Sequence, residues 1–531
     1  MSVPRKVWWY TWASFKVFCP LGIVVALFVG YGFKIKFWHL GPFAIGLYGA
    51  ILIVDFLVQT SCAIMNRIWI WKVERAAIAK EKAMFEDGAT DRGYEIAPVV
   101  VGYREAAEDW KACLRTLRDM DCPEVKVVIG VSDGDQGPDQ EMAHGFKENY
   151  QAITSTRIRF KNWIVGHHPP MEDEARSYAW VETTKEVKKI FNELELHQYK
   201  AVFFTQPHGS KRTAMFTGFM MAMQGYETKD YLFTTDSDTL VDKMALTHMA
   251  RIMESDPMNG GVCGDVRISN KTGSVLAFMS HLRYWFAFNI ERGCQSFFKC
   301  VTCISGPLGF YRVDHLKLVL GEWVTQSFGG KETTFGDDRH LTNCILNAGY
   351  NCRFTHLSVC DTETPTGFVR WVKQQTRWCK SFWREAFLFP RIFVLHSMWG
   401  LIELSKQSLY PFVIISNVLQ LLWDPLSGTW RPVAWFATIF AVALIKSFIA
   451  VALTGKPEFL GFSLYGFWYF FGLLPSKLYA IERFFHVGHI IFWFAVLCAG
   501  LAKFLTVRMG GAIFAIAACA VLIPTSFLYY D

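Results

Sequence analysis

Tyr231-Leu232-Phe233-Thr234-Thr235-Asp236-Ser237-Asp238 is the stretch that decides the fold of this chain. Its aromatic and β-branched run fits a buried strand, and two carboxylates spaced i, i+2 follow where that strand must end. Three earlier runs repeat the pattern: Ile96–Val101, Val125–Val131 and Ala201–Thr205. Each is followed by polar residues and then by a helix-like segment. This βαβ rhythm predicts an α/β domain with a mostly parallel sheet and ligands at the carboxyl ends of its strands. Neither GxGxxG after the first strand nor GxxxxGK[ST] occurs, so dinucleotide-redox and P-loop readings lose support.

Composition sets the surroundings of that domain. At 531 residues, 52% of them hydrophobic, with a mean hydropathy of +0.20, the chain is too apolar and too long for a single soluble domain. Aromatic content of 16% suits membrane interfaces and sugar-stacking surfaces. A net charge of +7, gathered around the polar middle and the helix ends, points to anionic headgroups and an anionic substrate more than to nucleic acid. The 14 cysteines are scattered, as in reduced, cytosolic protein, and Cys300-Val301-Thr302-Cys303 lacks the second pair of a zinc ribbon.

Apolar segments divide the chain into three parts. Residues 1–74 carry two spans, about Val17–Phe33 and Gly41–Met65, with basic flanks that place both ends inside. Residues 75–391 form the cytosolic domain. Residues 392–531 carry four more spans, near Met398–Trp423, Ala434–Thr454, His489–Thr506 and Gly510–Tyr529. Segments near 275–298, 368–389 and 460–480 mix aromatic with basic residues and read as amphipathic helices lying at the interface. The expectation is a multi-pass integral membrane protein, in the plasma membrane, with its α/β domain cytosolic and inserted between transmembrane helices.

Four polar motifs carry the chemistry, and together they suit nucleotide-sugar transfer. Asp236-Ser237-Asp238 brings two hard-oxygen ligands to one divalent ion, with Asp238 as the metal ligand and Asp236 on the nucleotide side. Asp133, after the second strand, is placed to accept from the N3–H of a uracil ring. Tyr103, ahead of Glu105 at the end of the first strand, offers a face for stacking. Lys211-Arg212 follows a glycine turn, as a diphosphate-binding loop would. Gly336-Asp337-Asp338-Arg339 supplies the general base, with Asp337 the candidate and Asp338 its orienting neighbour. In Gln374-Gln375-Thr376-Arg377-Trp378, Gln374 and Arg377 face the diphosphate and Trp378 the acceptor sugar.

From about Val99 to Glu385 these residues resemble the hyaluronan synthases, processive family-2 glycosyltransferases. The narrower strings are Gly261-Val262-Cys263-Gly264-Asp265-Val266, Cys294-Gln295-Ser296-Phe297-Phe298, Cys303-Ile304-Ser305-Gly306-Pro307-Leu308-Gly309 and Gly336-Asp337-Asp338-Arg339-His340-Leu341-Thr342-Asn343. The resemblance implies a GT-A-like domain, UDP-GlcNAc and UDP-glucuronate donors, Mg²⁺ or Mn²⁺, and export of the nascent polysaccharide through the enzyme's own channel in the lipid bilayer. It also implies that Asp337 is the base, that Trp378 stacks on the acceptor, that Cys303 lines the acceptor pocket, and that the enzyme works as a monomer without nucleic acid. Arg283, Arg370, Lys373 and Lys380 are the candidate lining of a basic entrance for a polyanion. The chain departs from the family in one respect: Pro475-Ser476-Lys477-Leu478-Tyr479 is followed by no Trp-Gly-Thr motif. Two alternatives stand beside this reading: a chitin-like polymer synthase using a single UDP-sugar, and a transporter with a degenerate cytosolic domain.

Overall fold

The computed structural model describes residue 11 and residues 47–150, 153–157, 173–328, 331–389, 391–407 and 431–484. The expected spans Val17–Phe33, His489–Thr506 and Gly510–Tyr529, and most of Met398–Trp423, lie outside these residues.

The sheet comprises β1 (Ile96–Gly102), β2 (Val128–Ser132), β3 (Ile153–Arg157), β4 (Ala201–Thr205), β5 (Tyr231–Asp236), β6 (Leu240–Val241), β7 (Asn259–Ile268), β8 (Gly309–Arg312) and β11 (Asn351–Thr362). Their spatial order is β3-β4-β2-β1-β5-β8-β7-β11-β6, and a separate two-stranded ribbon pairs β9 (Ser327–Phe328) with β10 (Lys331–Glu332). From β3 to β5 every pairing is parallel, as the sequence rhythm requires. Beyond β5 the sheet becomes mixed, because β8 runs antiparallel to both β5 and β7 while β7 and β11 are parallel. Strands β1, β2 and β4 are buried along their whole length, which explains their continuous apolar runs in place of alternation.

Register gathers the site. Val101 lies opposite Asp236, Gly102 opposite Ser132, and Ser132 opposite Thr205. The residues that follow, Tyr103, Asp133 and Gln206, therefore emerge with Asp236 at one carboxyl edge.

Helix α1 (Leu47–Glu86) has a stretch, Ile53–Glu86, that is the one helix among the described residues long and apolar enough to cross a membrane. Its far end joins the α/β domain through ions. Arg251 pairs with Glu74 and Glu81, both at 2.7 Å, and Arg92 links Glu81 (3.2 Å) to Glu124 (2.9 Å).

Besides a small one at Cys62, Cys294 and Trp399, two apolar clusters stand apart among the described residues. One fills the sheet. The other joins Phe56 of α1, Leu282 and Phe286 of α5 (Val275–Phe286), Trp371 of α8 (Phe368–Leu388), Ala450 of α9 (Arg431–Thr454) and Phe459, Phe462 and Leu473. Three segments read from the sequence as interfacial thus pack against each other and against both apolar helices. The last segment is helical from Pro457 to Phe484 but changes pitch three times, ending as α10 (Leu474–Phe484).

Candidate active site

Tyr103, Glu105, Asp133, Lys211, Asp236 and Asp238 line one cavity of about 180 Å³ at the carboxyl edge of the sheet. Lys211 opens α3 (Lys211–Met220), whose first turn is fixed by a capping box on Ser210, and its ammonium is ion-paired to Asp236. Burial pushes the Asp238 carboxyl up, and the neighbouring Asp236 charge pushes it further. Glu105 is raised by burial and then by Asp238. Three carboxylates thus face a single lysine. Asp133 is buried and spoken for: Gly209 N donates to its Oδ1 at 3.0 Å and His208 Nδ1 lies 3.1 Å from its Oδ2.

Gly306, between Cys303 and β8, closes against this edge. A Cβ at that position would sit 3.2 Å from both Asp236 Oδ1 and Lys211 Nζ. The loop it belongs to carries Cys303, whose Sγ is 3.6 Å from Asp338 Oδ2. Burial, reinforced by the Asp338 charge, pushes the Cys303 thiol up to about 12, so it stays protonated and can donate.

Asp337 and Asp338 begin α7 (Asp337–Asn347) and point to different places. Gly336 before them sits at φ +76, where a Cβ would also strike Ser381, so only glycine makes this turn. Asp337, the expected base, is turned inward: its Oδ1 accepts from Arg212 Nε at 2.7 Å, and both side chains are buried. Behind it Arg212 donates to Gln326 (2.8 Å), Gln326 to Glu385 (2.9 Å), and His340 Nδ1 lies 2.8 Å from Glu385. Arg384 completes the group by donating to Glu385 at 2.9 Å. Asp338 is only partly buried and turns its Oδ2 toward Cys303. Asp337 is thus held inward by Arg212, whereas Asp338 is partly buried beside Cys303.

Helix α8 brings the remaining motif alongside. Trp378 packs against Tyr284 of α5 with ring centroids 6.2 Å apart. Tyr284 in turn feels the charges of Arg292, Asp236, Asp238 and Arg377, which places the two motifs around one ring. Gln374 Oε1 is buried without a protein partner. Arg370, Lys373 and Arg377 are exposed at helical spacing on one basic face, while Lys380 lies over the Phe335 ring at 5.3 Å. Arg283 is not a free lining cation, because Glu291 holds it at 2.9 Å. Sequence reasoning did not single out Gln326, His340 and Glu385 for the site, nor Arg292, whose NH1 donates to Ser305 at 2.8 Å. Only the Gly336-to-Asn343 and Glu291-Arg292 strings hinted at them.

Hyaluronan synthase 2 of Homo sapiens and of Heterocephalus glaber are each 36% identical to this chain over 468 residues, covering 88% of this chain and 79% of theirs. This chain belongs to the hyaluronan synthase family. Hyaluronan synthase 3 of Homo sapiens aligns at 34% identity over 498 residues, 91% of this chain and 86% of that one. The chitin synthase family model matches residues 197–329, which include Lys211, the Asp236-Ser237-Asp238 motif and Cys303. A mannosyltransferase from Pyrobaculum calidifontis, solved with GDP-Man and Mn²⁺, covers 77% of this chain and 98% of its own at 16% identity and a TM-score of 0.43, too loose a match to carry an argument. As a member of the hyaluronan synthase family the chain is a processive, UDP-sugar-using glycosyltransferase.

Proposed function

We propose that the chain polymerises UDP-GlcNAc and UDP-glucuronate into hyaluronan by inverting transfer, from a GT-A-like cytosolic domain, and exports the polymer through its own multi-pass membrane region. The observation that carries this is the meeting, across Gly306, of the donor carboxylates with Asp338 and Cys303, in a chain that aligns over 88% of its length with hyaluronan synthase 2. Tyr103 and Asp133 take the uracil. Lys211, Gln374 and Arg377 face the diphosphate.

The residues present fit a hard divalent cation. The donors are all oxygen, and burial raises both Glu105 and Asp238, with the Asp238 charge raising Glu105 further and the Asp236 charge raising Asp238, a repulsion that positive charge relieves. Asp238 and Asp236 would hold Mg²⁺ or Mn²⁺, which when bound neutralises charge developing on the departing UDP. Asp338 takes the proton from the acceptor hydroxyl as the acceptor oxygen bonds to the donor's anomeric carbon. Asp337 holds the turn that presents Asp338. Cys303 orients Asp338 and lines the acceptor pocket, and Trp378 supplies the face on which the terminal sugar rests.

The test is a feeding experiment. Purified protein in lipid receives each UDP-sugar singly and both together. The proposal requires polymer only from the pair, degraded by a hyaluronan-specific lyase. Polymer from UDP-GlcNAc alone would move the chain to the chitin-like reading.

A further inference from the structure

We infer that His208 occupies the nucleobase position of the donor site and that UDP must displace its imidazole in order to bind. This rests on Tyr103 and Asp133 being the base site. The His208 ring lies on Tyr103 with centroids 4.3 Å apart and planes 19° from parallel. Its Nδ1 is 2.9 Å from the Asp133 carbonyl oxygen and 3.1 Å from Asp133 Oδ2. Both neighbours are acceptors, so Nδ1 carries the proton and donates. A flat ring on Tyr103 with an N–H aimed at Asp133 is what a uracil presents through its N3–H. The histidine already makes the two contacts expected of the base.

Three further observations agree. Asp133 Oδ1 is already taken by Gly209 N (3.0 Å) and Gln206 Nε2 (3.4 Å), so Oδ2, the oxygen His208 Nδ1 faces at 3.1 Å, is the one left toward the site. The cavity beside Tyr103 is small, about 180 Å³, while the His208 ring lies on that residue. The second face of Tyr103 offers no easy alternative, since the Arg104 guanidinium lies 5.0 Å from the ring centroid.

The imidazole is free to leave. Its side chain is 57% exposed, whereas that of Asp133 is 5% exposed, and it sits between Pro207 and Gly209 in a loop that carries no sheet pairing. An enzyme that releases one UDP per sugar gains from this arrangement. The returning ring refills the base site and opposes rebinding of the product.

Calorimetric titration of UDP, with Mg²⁺, into the full chain in lipid tests the inference. His208→Ala should bind UDP about three- to tenfold more tightly, the range set by one lost aromatic stack. His208→Phe, which keeps the stack without the donor, should fall between the two. Tyr103→Ala should bind at least about tenfold more weakly by losing the platform. Weaker or unchanged binding in His208→Ala, with Tyr103→Ala also weakened, overturns the inference and leaves the base site standing. Unchanged binding in Tyr103→Ala removes the base-site reading and the inference together.

Discussion

The donor edge and the Asp337 turn lie next to each other and are charged in opposite ways. At the donor edge Glu105, Asp236 and Asp238 share one cavity with Lys211, and burial drives two of these three carboxyls toward protonation. Behind the turn, Asp337 and Glu385 are matched by Arg212 and Arg384, and burial holds His340 below its usual range so that it adds no charge. In the proposed function the first region is completed by what arrives: a cation and a diphosphate. The second is complete before any substrate binds. Adjacent residues, Lys211 and Arg212, serve one region each, so α3 ties the two together.

The largest effect should come from leaving the donor edge unfinished. Asp238→Asn, or chelation of divalent metal, should abolish both transfer and UDP-sugar hydrolysis while the protein still inserts and melts normally. Substantial metal-dependent turnover in that variant would break the comparison. The matched region should respond in stability. Arg212→Gln or Glu385→Gln strands a buried charge, at a cost of about 3–5 kcal/mol, and should lower the melting temperature where Asp238→Asn does not. Equal melting of all three variants would erase the distinction.

A smaller effect should follow pH. His315, stacked on Tyr350 at 3.5 Å, is pushed by burial to about 4. The unfolded chain protonates this imidazole near its ordinary pKa, about 6.5, while the folded chain resists. Its share of stability is therefore present above that value and lost as pH falls toward 4. His315→Phe should flatten the slope of melting temperature against pH in that window, and an unaltered slope would assign the acid loss elsewhere. Least of all should change with Lys373→Glu on the exposed face of α8. It should shorten the polymer while first-sugar transfer stays within about twofold, because a polyanion is steered there by charge rather than held by chemistry. Full-length product from that variant would leave Lys373 as a lipid contact.

The donor edge was legible because its signals are local. A β-branched run followed by carboxylates marks a strand end, and parallel register then lifts Tyr103, Asp133 and Asp236 to one level without further information. The division between Asp337 and Asp338 was not legible. Neighbours on a helix point about 100° apart, and which one turns inward depends on Arg212, 125 positions away. The Arg283–Glu291 pair was not legible for a similar reason. A π-helical turn at Ala287–Arg292 shifts the face of the helix and delivers Glu291 to it, which ordinary helical spacing does not suggest. Antiparallel β8 was missed because its short run, Gly309–Arg312, carries too little pattern to separate from a loop.

The most direct measurement compares Asp337→Asn with Asp338→Asn in one experiment that follows UDP binding, melting and transfer. The account predicts near-normal UDP affinity in both. Asp338→Asn should melt normally and lose transfer by about 10²–10⁴, whereas Asp337→Asn should melt lower and keep most of its transfer in the folded fraction. Loss of transfer without loss of stability in Asp337→Asn, with Asp338→Asn still active, would contradict it and return the base to Asp337.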